Sequence, residues 1–344
     1  QAAGYTTAAE LTNGFLSAER GWRRGFDYFR NEEDNSDLAD ILTRADNVTR
    51  NALSWLRLNR REPFFLWVHY IDPHLPYDSP DTPEEVRERY SRGYPDTRNY
   101  WYETMEGAPD DVRERYEEYC RAMYAEEVRY ADRWVGQLLD RLRQMADFDS
   151  MLVVISTDHG EELFDHKGFE HGHSLYEEVL RVPLLIKWPA GCEADREVTQ
   201  TVGLASLART ALDIAGVPVG EGEGAPALPR RGGGPGMEVY SEGLLWGVDM
   251  SSLTTDDYKV IYHPFRQPER GRFEVYDRRR DRSEQHDLSD SQEALDLRDR
   301  LVEHTRASDA AAREWRGSGR LELEGTGFSE ENRERLKALG YIGG

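Results

Sequence analysis

Apolar and polar positions follow two clear periods along this chain, and a third stretch of pattern is an unbroken apolar run. Helical spacing is strongest from Asp111 to Met145, where Tyr116, Tyr119, Met123, Tyr130, Trp134, Leu138 and Leu142 recur at three and four with charges between. A second helix is expected to run to about Asn59 under Asp37 or Asp40 as cap, with Val48, Ala52, Trp55 and Leu56 on one face. Val202 to Ala215 predicts another, closed by Gly216. PFFLWVHYI (Pro63 to Ile71), MLVVI (Met151 to Ile155) and VPLLIKW (Val182 to Trp188) read as strands buried on both faces, the kind found in parallel sheets. The long helix lies between the first two, which fits a parallel crossover. Gly4 to Ala9 predicts a turn entering a short strand, and GWRRGFDYF (Gly21 to Phe29) an ordered loop.

Near the carboxyl end the period shortens. Glu238 to Ser241, Leu253 to His263 and Arg272 to Asp277 read as short alternating strands, followed by a helix near Gln292 to Thr305. Gly, Pro and Arg dominate 220–236, the best linker candidate. The expected organisation is an α/β domain over 1–219, a linker over 220–236 and an α+β subdomain over 237–344. Residues 78–110 carry Pro, Tyr, Arg and acid without apolar period and are expected to form a long surface excursion.

Charge excludes one class of partner. A formal charge of −22 opposes nucleic acid, which requires clustered Lys and Arg. Only Lys167, Lys187, Lys259 and Lys337 are lysines; arginine supplies the rest of the 44 basic residues. Acid excess with scarce lysine fits a salt-adapted or GC-rich source. Cys120 and Cys192 make neither a disulfide framework nor a metal spacing. No apolar run approaches the roughly 20 residues of a membrane span.

Two strand candidates end in the same chemistry. After Ile155 come Asp158 and His159, then His166, His171 and His173, so four of the nine histidines fall within fifteen residues. The Phe64 run ends in Asp72, Pro73 and His74, with Pro73 expected to hold the loop extended. Ligands of parallel sheets gather at the carboxyl ends of strands, and a carboxylate beside an imidazole suits a divalent cation of the zinc or manganese type. The competing reading of Asp158 is a helix cap, with Glu161 and Glu162 in the first turn. His69 lies inside the strand run and is expected in the core.

The blocks GYTTAAELTNGFLS, FFLWVHYIDPHLPY, VVISTDHGEEL, HGHSLYEEVLRVPLLIKWPAG and FEVYDRRRDRSEQHDLSD, in that order and spacing, resemble the sulfatases of the alkaline phosphatase superfamily. The resemblance implies an alkaline-phosphatase-like α/β sandwich around a mostly parallel mixed sheet, with a smaller C-terminal antiparallel sheet and helix. It implies hydrolysis of sulfate monoesters, from a small molecule or a glycan. Asp158 and His159 match a pair of metal ligands: calcium is typical, and His159 leans toward manganese or zinc, with magnesium also in range. His74 matches the histidine that contacts the leaving group or a sulfate oxygen. The family's lysine, four residues before Tyr176, is replaced by Gly172 between His171 and His173. His173 is the preferred substitute, with Lys167 next. No C/S-x-P-x-R nucleophile motif occurs in the 344 residues. In the family that motif and an Asp pair precede the GYTTAA block, so the sequence is expected to be truncated at its amino end and inactive alone. Two alternatives stay open: a phosphodiester or phosphonate hydrolase or phosphoethanolamine-type transferase of the same superfamily, and a non-catalytic metal- or anion-binding relative.

Overall fold

The strand of small residues near the amino end, Thr6–Leu11 (β1), is the centre of a three-stranded parallel sheet in the computed structural model. Residues 3–31, 44–90, 108–220, 224–243, 250–263 and 272–317 are described. The chain divides after Phe148 into two compact units.

In the first unit β1 pairs with Tyr28–Asn31 (β2) and Phe64–Val68 (β3), both parallel. Ala8 and Ala9 are fully buried, which is why the central strand carries small side chains. β2 lies in the segment expected to be a loop. Four residues show no period, and the pairing is made by tertiary contact: the Asp27 carboxylate accepts from the Thr7 amide at 2.9 Å and seats β2 on β1. Helix Ala45–Leu58 (α1) buries Val48, Ala52, Trp55 and Leu56, the face read from the sequence. Asp37 and Asp40 lie outside the described residues; the helix starts after Arg44. Its first amide, Ala45, donates to the buried Asp72 carboxylate at 2.9 Å from 27 residues further on. Asp72 therefore satisfies an orphan helix donor and is a structural carboxylate. Pro73 sits in a turn closed by His74 N–H to the Ile71 carbonyl at 2.8 Å, where an extended loop was expected. Glu84–Tyr90 (α2) is a short helix inside the expected excursion, and Asp110–Arg143 (α3) matches the strongest periodic segment.

In the second unit Val153–Ser156 (β4) pairs with Leu184–Lys187 (β7), antiparallel. The strand that delivers Asp158 and His159 is therefore not in a parallel ladder in its described pairing. Nor are these strands covered on both faces: Val154 is 37% and Leu185 59% exposed. Between them lie the two-residue strands Glu162–Leu163 (β5) and Phe169–Glu170 (β6), an antiparallel pair, and Glu177–Leu180 (α4). Helix Ser206–Ile214 (α5) follows.

The antiparallel sheet is Val239–Gly243 (β8), Met250–Thr254 (β9), Tyr258–His263 (β10) and Arg272–Asp277 (β11), in order β11-β10-β9-β8. The single run read from Leu253 to His263 is two strands. Thr255 turns the chain by closing with Tyr258: its hydroxyl donates to the Tyr258 carbonyl and accepts from the Tyr258 amide, both at 3.0 Å. Leu253, Val260 and Val275 pack on Ala294, Leu297 and Leu301 of Gln292–Gly317 (α6). The opposite face buries Ile261, Met250 and Tyr276 against Leu175 and Tyr176. The histidine-rich segment thus docks on the sheet through the two residues that follow Ser174. Neither Cys120 nor Cys192 is in a disulfide among the described residues. Among the described residues no helix is long and apolar enough to cross a membrane.

Candidate functional site

The turn after β4 offers one nitrogen and one carboxylate to the same point in space. His159 Nδ1 donates to the Gly160 carbonyl at 2.8 Å, which fixes the tautomer and leaves the Nε2 lone pair directed outward. Nε2 stands 3.8 Å from Asp158 Oδ1, and the two side chains are 39% and 72% exposed. This is not a helix start: β5 follows, and Glu161 and Glu162 turn inward. Among the described residues no group of three or more His, Cys, Asp or Glu side chains is arranged to hold a metal ion. Asp158 and His159 supply two suitable donors, one hard and one imidazole.

The His171 ring lies against His159, centroids 4.0 Å apart and planes tilted by 31°, and Glu161 holds its Nδ1 at 2.8 Å. A carboxylate behind an imidazole orients the ring and raises its basicity. His173 is placed differently. Its Nε2 donates to Glu162 Oε2 at 2.9 Å, and its other ring hydrogen bond goes to the His171 carbonyl. Both nitrogens are thus committed to protein acceptors, so His173 is an anchored cation and not a probe reaching outward. Burial opposes its charge, but the hydrogen bond to Glu162 and that residue's charge outweigh it and raise its pKa. Lys167 is exposed on the turn, in the left-handed region at φ 69°.

Glu162 is the hub that sequence reasoning missed. Fully buried, it accepts from His173, from the Ser174 hydroxyl at 2.9 Å, and from the amides of Gly168 at 2.7 Å and His166 at 3.1 Å. Burial works to raise its pKa, and these donors, His173 first, hold it below the ordinary carboxylate value. Phe164, Lys167 and Glu170 all have positive φ, at 72°, 69° and 73°. Three non-glycine residues in that region within seven positions mark a hairpin held by its surroundings. Gly168 passes so close that a Cβ there meets His173 Nε2 and Glu162 Oε1. Gly168→Ala is expected to cost about 1–3 kcal/mol by overpacking, read from urea unfolding, and to return the His173 pKa toward its ordinary value by NMR titration.

His166 is also an imidazolium in this arrangement. Nδ1 donates to Glu178 at 2.6 Å and Nε2 to the Glu284 carbonyl at 3.0 Å, while the ring stacks on Tyr176 at 3.7 Å. Burial lowers its pKa, and the Glu178 contact overrides this and raises it. Glu284 in turn accepts from the Glu177 amide at 2.8 Å and pairs with fully buried Lys259 at 3.0 Å. The sequence signal for this network was limited to the FEVYDRRRDRSEQHDLSD block, which carries no spacing that reports contact.

Asp158, His159, Lys167, His171 and His173 all belong to the second unit, and His74 to the first. There His74 Nδ1 donates to the Leu75 carbonyl at 2.7 Å. His69 follows β3, its amide bonded to the Glu10 carbonyl at 2.9 Å.

An α/β unit with a parallel sheet, a carboxylate–imidazole pair after a strand and an antiparallel C-terminal sheet define an alkaline-phosphatase-like hydrolase fold. A family model described as Sulfatase matches residues 1–217, and the chain belongs to the sulfatase family. It is 25% identical over 319 residues to the uncharacterized sulfatase YidJ of Escherichia coli K12, covering 85% of this chain and 60% of that protein. It is 30% identical over 208 residues to human arylsulfatase K, covering 52% of this chain and 38% of that protein. The chain thus spans 60% of the first of these relatives and 38% of the second. In fold it resembles a solved complex of BT4656 with its substrate D-glucosamine-2-N,6-O-disulfate, at TM-score 0.63 and 18% identity over 91% of this chain and 81% of that one. It also resembles the phosphonate monoester hydrolase of Agrobacterium radiobacter, at TM-score 0.58 and 15% identity over 90% and 79%.

Proposed function

We propose that this chain carries the histidine-bearing part of a sulfuric ester hydrolase, acting on sulfate monoesters of a sugar or other small organic group. The observation that carries the reading is the Asp158–His159 pair, one carboxylate and one tautomer-fixed imidazole presented together at a strand end. These two residues would hold a divalent cation, of which calcium and manganese are the leading choices. Bound there, the cation supplies Lewis-acid stabilisation of the developing negative charge.

The chain's own residues supply the rest. His173 and His166 are each paired with a carboxylate, Glu162 and Glu178, and these neutral pairs hold the histidine-rich segment in place. His171, oriented by Glu161, keeps the His159 ring in place by lying against it. His74, in the first unit, is assigned contact with the leaving group or a sulfate oxygen by its place in the DPHLPY motif alone. Lys167 stands on the exposed turn as the candidate for an outer contact with a sulfate oxygen.

Asp158→Ala is expected to abolish stoichiometric Mn2+ or Ca2+ binding measured by calorimetry, while the circular dichroism spectrum is retained. Metal content equal to wild type removes the assignment. Assaying the protein as encoded in its source against an aryl sulfate and a phosphonate monoester separates sulfate from phosphoryl chemistry; a preference for the phosphonate overturns the sulfate reading.

A further inference from the structure

The loop that carries His74 has no regular structure of its own and is held from outside. Between β3 and α2, residues 69–83 contain no helix or strand, yet Asp72, Tyr77, Ser79 and Thr82 are buried. Such a segment keeps one conformation only where neighbouring elements supply partners for its buried groups. α1 supplies the Ala45 amide that meets Asp72. On the far side of His74, α3 supplies three more contacts. Tyr77 packs edge-on against Tyr124 with ring centroids 5.6 Å apart, and Asp81 pairs with Arg133 at 2.5 Å. Between these two, the Glu127 carboxylate accepts the Asp78 amide at 2.6 Å.

Glu127 is 2% exposed, and a carboxylate so buried needs a charged partner or a proton. Its partner is Arg44, the residue before α1, whose guanidinium lies 3.7 Å from Glu127 and 3.8 Å from Asp78. Arg87 of α2 also holds Asp78, at 2.9 Å. The Arg44 charge favours ionised Asp72 as well, so one arginine serves two buried carboxylates. The other acids nearby are engaged elsewhere: Asp46 of α1 with Arg50 and the Tyr130 hydroxyl, and Glu126 of α3 with Arg129. Burial, then the Asp72 charge, push the Glu127 pKa up to about 7, against the pull of Arg44 and the Asp78 amide. Asp72 is shifted in the same direction, by burial first.

Glu127 therefore holds the loop at two strengths. Ionised, it accepts the Asp78 amide in a charge-assisted bond and attracts Arg44; protonated, it is a weaker neutral acceptor and leaves Arg44 to Asp72 and Asp78. Asp78 is four residues from His74. Pro76 fixes one dihedral of the chain between them, and Tyr77 is pinned on Tyr124, so a displacement at Asp78 reaches His74 with little slack.

We propose that Glu127 is a positioning residue for His74: from α3 it clamps the loop through the Asp78 amide, and gain or loss of its proton resets the loop that presents the imidazole. This rests on the sulfate-ester reading for what His74 touches. It adds the group that holds His74 in place and makes the reaction depend on a buried proton of α3.

Two measurements test it. In the 344-residue protein, NMR follows the Asp78 amide and the His74 ring from pH 5.5 to 8.5. The Asp78 amide proton is expected to move downfield in a step centred near pH 7, with a matching inflection in the His74 ring. The Asp78 step persists in His74→Asn and is absent in Glu127→Gln, which keeps an acceptor oxygen without a titrating proton. An Asp78 step that survives Glu127→Gln, or that vanishes in His74→Asn, overturns the proposal, as does a His74 ring that does not sense the Glu127 step. Trp55 of α1, with an unchanged indole signal, reports that each variant is folded.

In the protein as encoded in its source, Glu127→Ala is expected to lower kcat for an aryl sulfate by about tenfold, the size of a lost charge-assisted hydrogen bond, with KM within about twofold. Glu127→Gln restores part of that rate and erases the pH–rate limb near 7. On a His74→Asn background the alanine change is expected to cost less than about twofold, because the two residues act as one unit. Equal loss on both backgrounds makes Glu127 a general stabiliser and overturns the proposal. Absence of sulfate hydrolysis, with the Asp78 and His74 steps present and tied to Glu127, removes the sulfate-ester reading and leaves Glu127 as the clamp of this loop.

Discussion

Lys259→Met is expected to destabilise the second unit by about 3–5 kcal/mol, the usual cost of removing one member of a buried ion pair. Lys259 is fully buried, its Nζ 3.0 Å from Glu284 and 3.7 Å from Glu177. Burial pushes its pKa down and that of Glu284 up, so each ion needs the other. Without the ammonium, Glu284 is left charged in a dry environment while still accepting the Glu177 amide. The same residue's carbonyl accepts from His166, so the damage reaches the histidine segment. Urea unfolding monitored on the second unit reads the loss. Lys259→Met with Glu284→Gln is expected to recover part of it, because the double variant carries no orphaned ion. A single-variant loss below about 1 kcal/mol, the range of exposed pairs, would show that the pair is not desolvated as its geometry implies.

Acidifying from pH 8 toward pH 5.5 is expected to raise the melting temperature of the second unit. His166 and His173 have pKa values raised above the unfolded 6.5, so their stabilisation is fully present below 6.5 and is lost as pH climbs through the folded values. Glu162 is shifted the other way, below the unfolded 4.5, so its contribution is present above 4.5 and is lost as pH falls through its folded value. The three shifts together place the optimum between about 4.5 and 6.5. General relief of a −22 charge acts in the same direction on the acid side. Glu162→Gln separates the two effects: it removes the His173 part of the slope and leaves the general part. Scanning calorimetry from pH 4 to 8.5 at constant ionic strength is the measurement, and a melting temperature that climbs steadily from pH 5.5 to 8 contradicts the assignment.

Legibility in the sequence followed the length and regularity of each element. The 34 residues of α3 repeat their apolar spacing often enough to be read almost to their ends. The apolar runs of β3, β4 and β7 were likewise visible as continuous stretches, although Phe65, Val154 and Leu185 in them stay exposed. β2 was not, since its four residues, between Asp27 and Glu32, carry no period. The β5–β6 hairpin was not either, because Phe164 and Lys167 in its turn and Glu170 in β6 take a conformation normally signalled by glycine. Asp72 shows what position along the chain leaves open. Sequence placed it beside His74 at a strand end, and the fold spends it on the first amide of α1.

The sequence by itself determined the family, the α/β character with an antiparallel appendage, and the candidate metal pair Asp158–His159, because adjacent residues stay adjacent in any fold. Only the tertiary structure decided what each histidine can do. His173 and Glu162 stand 11 residues apart, His166 and Glu284 118 apart, and Lys259 and Glu284 25 apart. Which imidazole is anchored and which keeps a nitrogen for a ligand depends on such distant partners, the Glu162 and Glu178 carboxylates and the Glu284 carbonyl. A charge in a low-dielectric interior is set by its nearest partner, and nearest in space is not recorded in the order of residues.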